Sequence, residues 1–153
     1  MRRKKTAIGV VLAVLLLACF LPYAAGADDF FSRFEITEVS VKGHKLHVRG
    51  QTDLPDGSFV HASVSLKDFE DKPGKDHTVK VHVNNHMFLI QVDLPKKVGK
   101  ELNLINLKVA FRPKDQPNHI KAKVGHKGEN LKGGNVKVQG GERIFFIAKN
   151  IFW

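Results

Sequence analysis

An all-β domain built as a two-sheet sandwich, preceded by an apolar leader, is the architecture this sequence predicts. Three observations carry the prediction. Apolar residues in the body alternate with period two in short runs, as half-buried strands require. Turn chemistry interrupts those runs about every ten residues. Helical periodicity is confined to a possible short turn at residues 28–34.

The leader comes first. Arg2, Arg3, Lys4 and Lys5 form a basic head, and an uncharged apolar run extends from Ala7 to Leu21. Pro22 ends it, and Ala25-Gly26-Ala27 stands directly before Asp28. Basic head, apolar stretch and small-residue site are the three parts of a secretory signal. Cleavage is expected between Ala27 and Asp28, with Ala25 and Ala27 as the small residues read at the site. The run falls short of the roughly 20 residues of a spanning helix, which favours a cleaved signal over a retained anchor. Cys19 sits in Leu-Leu-Ala-Cys, a poor lipidation box, and reads as a small apolar residue of the leader. Removing residues 1–27 removes the chain's one cysteine, so the exported domain must hold itself together by a core rather than by disulfides. About 126 residues remain, enough for one domain at 28–153.

The strands follow in order. Residues 35–42 place Ile36, Val39 and Val41 at imperfect spacing, which predicts a bulge or a sheet edge. Residues 45–50 bury Leu46 and Val48. Leu54-Pro55-Asp56-Gly57-Ser58 is a turn: proline presets φ, aspartate bonds local backbone and glycine accepts positive φ. Residues 59–66 bury Val60, Ala62, Val64 and Leu66, leaving His61, Ser63 and Ser65 outward. A charged loop precedes 78–83, with Val79, Val81 and Val83 inward. Asn84-Asn85 is a two-residue hairpin candidate, returning into 86–94. Residues 102–111 form the most apolar strand and are expected at a sheet centre. Residues 120–124 read as a strand burying Ile120, Ala122 and Val124, with Lys121 and Lys123 on one outward face. Residues 135–138 and 142–149 complete about seven to nine strands, and each apolar face needs a partner sheet. Ile144-Phe145-Phe146-Ile147 is apolar on both parities, as for a strand buried on both faces, and Phe152-Trp153 forms an apolar end.

Two turn motifs carry a resemblance. GQTDLPDGS at residues 50–58 and VGHKGENLKG at 124–133 resemble paired landmarks of small exported bacterial proteins of unassigned function, themselves similar to immunoglobulin-like β-sandwich modules. The resemblance spans roughly residues 34–139. It implies an immunoglobulin-like fold and an extracytoplasmic location, and says little about activity. The buried cysteine pair of antibody domains is absent, and the one tryptophan is Trp153.

Catalytic chemistry finds little support. No GxSxG elbow, GxGxxG loop or P-loop occurs. Eight histidines are present without HxH or HExxH spacing. His82 and His86 flank the hairpin turn and come nearest to a metal pair. The acids at 68, 70, 71 and 76 lack the spacing of a calcium loop and alternate with lysines. No cofactor is implied, and the chain reads as no enzyme. The net charge is +10, of which the leader holds four, leaving +6 on the body. Lys96, Lys97 and Lys100 in one turn, with Lys121 and Lys123, form a candidate polyanion patch. Stacking aromatics are scarce there, so nucleic acid is not expected. The sequence thus predicts a secreted or membrane-anchored binding or structural module outside the cell. Its expected partners are an anionic cell-wall polymer, a membrane surface or another envelope protein. The alternative is a metal-binding or hydrolytic protein using strand histidines.

Overall fold

The computed structural model describes residues 30–66, 77–94 and 104–152. The leader with Ala25, Ala27 and Asp28, the acidic loop, and the turn bearing Lys96, Lys97 and Lys100 lie outside the described residues, as does Trp153. Eight strands are described: β1 Phe34–Lys42, β2 Lys45–Thr52, β3 Phe59–Leu66, β4 His77–His82, β5 Met87–Asp93, β6 Leu104–Phe111, β7 Val136–Gln139 and β8 Glu142–Phe152. One short helix, α1 Asn118–Val124, lies between β6 and β7. Among the described residues no helix is long and apolar enough to cross a membrane.

The strands form two antiparallel sheets, one ordered β1-β2-β5 and one β4-β3-β6-β8-β7. Period-two alternation gives each sheet one apolar face, and the two faces close on each other. β2, β5 and β6 bury every second residue, from Leu46 and Val48 through Phe88, Ile90 and Val92 to Ile105, Leu107, Val109 and Phe111. Four phenylalanines tie the sheets together. Phe34 of β1 stacks on Phe88 of β5 at 5.3 Å and on Phe145 of β8 at 5.1 Å, and Phe111 of β6 lies 6.5 Å from Phe145. Aromatic pairs of this kind add about 0.5–1.5 kcal/mol each beyond burial.

β1 is an edge strand and its register shifts between Ile36 and Glu38, so both predicted reasons for its imperfect pattern hold. β2 continues two residues past Gly50, where the sequence reading ended it. Gly50 stands opposite Phe88, whose ring lies across it; a Cβ there would be 2.0 Å from the ring's Cζ. The glycine is a recess for an aromatic ring, not a terminator.

Two expectations are corrected. Residues 120–124 are helical, not extended. Ile120 and Val124 are buried while Ala122 is exposed. Positions four apart satisfy both one helical turn and two strand repeats, so these two side chains fit either period. Pro113 and Pro117 decide it locally. Pro113 opens a 3₁₀ turn, Pro113–Asp115, and the Pro117 carbonyl accepts from the N–H groups of Ile120 and Lys121, both at 3.0 Å. The hairpin turn is also displaced by one residue. Asn85 and His86, at φ 50° and 59°, are its central pair, and Asn84 exchanges backbone hydrogen bonds of 2.9 and 3.0 Å with Met87. Two successive positive φ values are those of a type I′ turn.

Ile144 and Phe145 are both buried, as a strand covered on two faces requires, whereas Phe146 and Ile147 are half-buried and Phe152 is exposed.

Candidate functional site

Directly paired residues of an antiparallel sheet point to the same side. The register therefore lays out the outer face of the five-stranded sheet. Ala62, Val64, Leu107 and Val109 face the core, so their neighbours face outward. One row runs Lys80, His61, Ala110, Phe146, and the next runs Thr78, Ser63, Lys108, Ala148. Ser65, Asn106 and Asn150 form a third row, and Leu104 with Phe152 ends the face. On β7, Lys137 pairs with Ile144 and shares this side. Among the described residues no acid belongs to these three central rows, although Asp115 of the 3₁₀ turn reaches His61 in the first.

The outer face of the three-stranded sheet differs. Its rows are Glu35, Gln51, Met87; then Glu38, Arg49, Leu89; then Ser40, His47, Gln91; then Lys42, Lys45, Asp93. Here cations meet carboxylates: Arg33 with Glu35 at 2.7 Å, Arg49 with Glu38 at 3.5 Å and Lys45 with Asp93 at 3.6 Å. A depression of about 190 Å³ is lined by Glu38, Ser40, Lys42, His47, Arg49 and Leu89. Glu38 takes up the charge of Arg49, which leaves Lys42 as its one cation without a carboxylate partner among the described residues.

Charge separates along the chain in the same way. Residues 104–152 hold ten Lys and Arg against three Asp and Glu, a net +7. Residues 30–66 and 77–94 together hold five of each. Every described Lys or Arg that pairs with a carboxylate belongs to the three-stranded sheet or the residue leading into it. Among the described residues none of the ten cations of 104–152 forms an ion pair.

Two of these cations, Lys132 and Lys137, rest on aromatic rings instead, as does Lys80 of β4. Lys80 Nζ lies 3.4 Å from the centre of the Phe59 ring, and Lys137 Nζ lies 4.4 Å from that of Phe146. Lys132 sits over Phe30 in the same manner, at 3.1 Å. The ring quadrupole attracts the ammonium without neutralising it.

His61 lies among them. Its Nε2 is buried without a hydrogen-bond partner, 3.7 Å from Asp115 Oδ2. Burial pushes its pKa below the usual 6.5, which outweighs the raising pull of Asp115 and is helped by Lys80 and Arg112. Asp115 is carried by the 3₁₀ turn, and Gln116 fixes that turn to β3. The Phe59 N–H donates to Gln116 Oε1 at 2.7 Å, and Gln116 Nε2 donates to the Phe59 carbonyl at 2.9 Å and the Arg112 carbonyl at 3.0 Å. The buried amide thus acts as an extra strand partner for Phe59.

The loop after α1 binds its own anion. The Lys127 N–H donates to Glu129 Oε2 at 3.0 Å, and the Glu129 carboxyl is held below the usual range by its own backbone N–H and that of Lys127. The carboxylate lies over Gly125, at φ 89°, where a Cβ would be 2.0 Å from Oε2.

The predicted site residues fare unequally. Lys121 and Lys123 do not share a face, because two helical positions are about 200° apart; Lys121 is half-buried and Lys123 exposed. His82 packs edge-on against Phe59 at 4.6 Å, while the backbone N–H of His86 donates to Asp56 at 3.5 Å. Among the described residues no group of three or more His, Cys, Asp or Glu is placed to hold a metal ion. Sequence reasoning missed Lys80, Lys108 and Lys137. Each stands between two apolar residues in an alternating run, so strand parity could have put all three on outward faces.

The chain matches no protein-family model and no curated protein.

Proposed function

We propose that this is an exported, non-catalytic, immunoglobulin-like β-sandwich module that binds an anionic polymer at the cell surface. The observation carrying this reading is the segregation of charge: ten cations in residues 104–152, none paired with a carboxylate among the described residues, against a paired surface on the three-stranded sheet. A surplus of cations without carboxylate partners raises the local positive potential and attracts polyanions, and the attraction weakens with salt.

Strand order supports the immunoglobulin-like part. β1, β2 and β5 correspond to strands A, B and E of such sandwiches, while β3, β6 and β8 correspond to C, F and G. β4 pairs with β3 instead of β5, and β7 is an addition at the far edge. The leader supports export. Retention of the purified protein on an immobilised anionic polymer tests the reading: binding is expected at about 0.05 M salt and release well before 1 M, where screening is nearly complete. No retention at low salt refutes it.

The rival reading, a metal-binding or hydrolytic protein built on strand histidines, has one observation in its favour: the unpartnered Nε2 of His61 beside Asp115. Histidine NMR resonances that move on titration with Zn²⁺ would support it, and resonances unmoved at saturation would end it.

A further inference from the structure

We infer that the polymer lies on the outer face of the five-stranded sheet, crossing the strands, and not on the lysine loops or the helix. This rests on the reading of the chain as a polyanion binder and names its surface.

The cations of this face stand on alternate strands. In the order β4-β3-β6-β8-β7, Lys80 is on the first strand, Lys108 on the third and Lys137 on the fifth. Arg112 directly follows the third strand and donates to Gln139 of the fifth at 3.1 Å. Neighbouring strands lie about 4.8 Å apart, so successive cation-bearing strands are separated by roughly 10 Å and the two edge lysines by roughly 19 Å across the sheet. Along the strands the lysines are staggered, Lys108 opposite Ala148 and Lys137 opposite Ile144, roughly 14 Å apart on β8, so a flexible chain carrying anionic groups at intervals meets them in turn by bending between rows. A compact anion would meet one.

The surface between the cations suits a chain. Ser63, Ser65, Ala110 and Ala148 are small, so an extended polymer reaches close to the sheet, and Asn106 and Asn150 offer neutral hydrogen-bonding groups. Among the described residues one carboxylate reaches the central rows, that of Asp115 beside His61, and the Lys108 row has none. The edge lysines are also held in place. Phe59 and Phe146 lie beneath Lys80 and Lys137, so part of the rotamer freedom an exposed lysine loses on binding is already lost in the free protein. The helix end offers a poorer site. Lys121 and Lys123 diverge around α1, and the Glu129 carboxylate already occupies the backbone amides of the following loop. Charge complementarity, with the serines and asparagines between the cations, favours a soluble polymer over a bilayer.

The test compares three variants of the full chain for binding to poly(glycerol phosphate), with retained melting temperature as the check on folding. Lys80→Gln/Lys108→Gln/Lys137→Gln is expected to weaken binding about a hundredfold at low salt. It should also make the slope of log K against log salt shallower by about 2, at roughly 0.7 per lost contact. Lys121→Gln/Lys123→Gln/Lys127→Gln is expected to stay within about threefold of the parent. Phe146→Leu keeps all charges but frees Lys137, and is expected to weaken binding a few-fold with an unchanged salt slope. If the helix variant loses binding and the sheet variant does not, or both lose equally, the sheet-face assignment is overturned while polyanion binding stands. If the parent does not bind at low salt, both fail. Binding to phosphatidylglycerol vesicles but not to the soluble polymer would overturn the choice of occupant.

Discussion

Gly50 is where the two-sheet packing is most sharply exposed to test. Its φ is not in the left-handed region, so alanine fits the backbone and only space opposes it. An added Cβ would lie 2.0 Å from Phe88 Cζ and 2.4 and 2.5 Å from its Cε atoms. Carbon contacts settle near 3.5–4.0 Å, so the ring must retreat by about 1.5 Å. It has little room: Phe88 is 1% exposed and stacks on Phe34, which stacks on Phe145 of the opposite sheet. Overpacking a filled core costs about 1–3 kcal/mol. Loss of glycine freedom in the unfolded chain returns about 0.4–1 kcal/mol. Gly50→Ala should therefore destabilise the domain by about 1–2 kcal/mol, lowering Tm by roughly 3–10 °C. Phe88→Leu relieves the clash, so the double variant should be more stable than the sum of the two single losses by about 1 kcal/mol or more. Urea midpoints of the four proteins measure this. A Gly50→Ala protein that melts at or above the parent temperature, or a cycle with no coupling, refutes the idea that the ring is locked over the glycine.

Other perturbations address the site's supports. Gln116→Ala strands the N–H and carbonyl of Phe59 and should cost about 2–4 kcal/mol, read from the denaturant midpoint; a loss under 1 kcal/mol would show that water replaces the amide. Because burial holds the His61 pKa below 6.5, the unfolded chain takes up that proton first. This histidine's contribution is whole above pH 6.5 and declines as pH falls from there through the folded value. His61→Gln should accordingly lose less stability than the parent between pH 7.5 and 5, and an equal or greater loss would contradict the assignment. Asp53 Oδ2 accepts from the backbone N–H groups of Ser32 at 2.7 Å and Arg33 at 3.0 Å. Asp53→Ala should speed hydrogen exchange at those two amides tenfold or more, while the amides of β6 keep their protection.

Much of the fold was legible because period two is a direct image of a half-buried sheet. The inward residues of β2, β3, β5 and β6 follow from alternation alone, and the bulge in β1 shows as a broken period at Thr37. Where the pattern is degenerate the reading fails. Ile120 and Val124 fit strand and helix equally, and the separation comes from Pro117 ahead of them and the exposure of Ala122 between them. Asn85 and His86 form the turn because Asn84 is still paired with Met87, a one-residue distinction that asparagine content does not encode. Gly50 looked like a strand end because its partner Phe88 is 38 positions away in the chain. The candidate site was legible in part. Outward placement of Lys80 and Lys108 follows from parity. That Ser63 and Ala148, not acids, stand beside Lys108 requires the register of three strands.

Amide chemical-shift mapping during titration with a short poly(glycerol phosphate) at low salt tests the central claim most directly. The account predicts perturbations concentrated in the five-stranded sheet, β4, β3, β6, β8 and β7, with β1, β2 and β5 unmoved, and their disappearance near 1 M salt. Perturbations centred on the three-stranded sheet, or none at low salt, would contradict it.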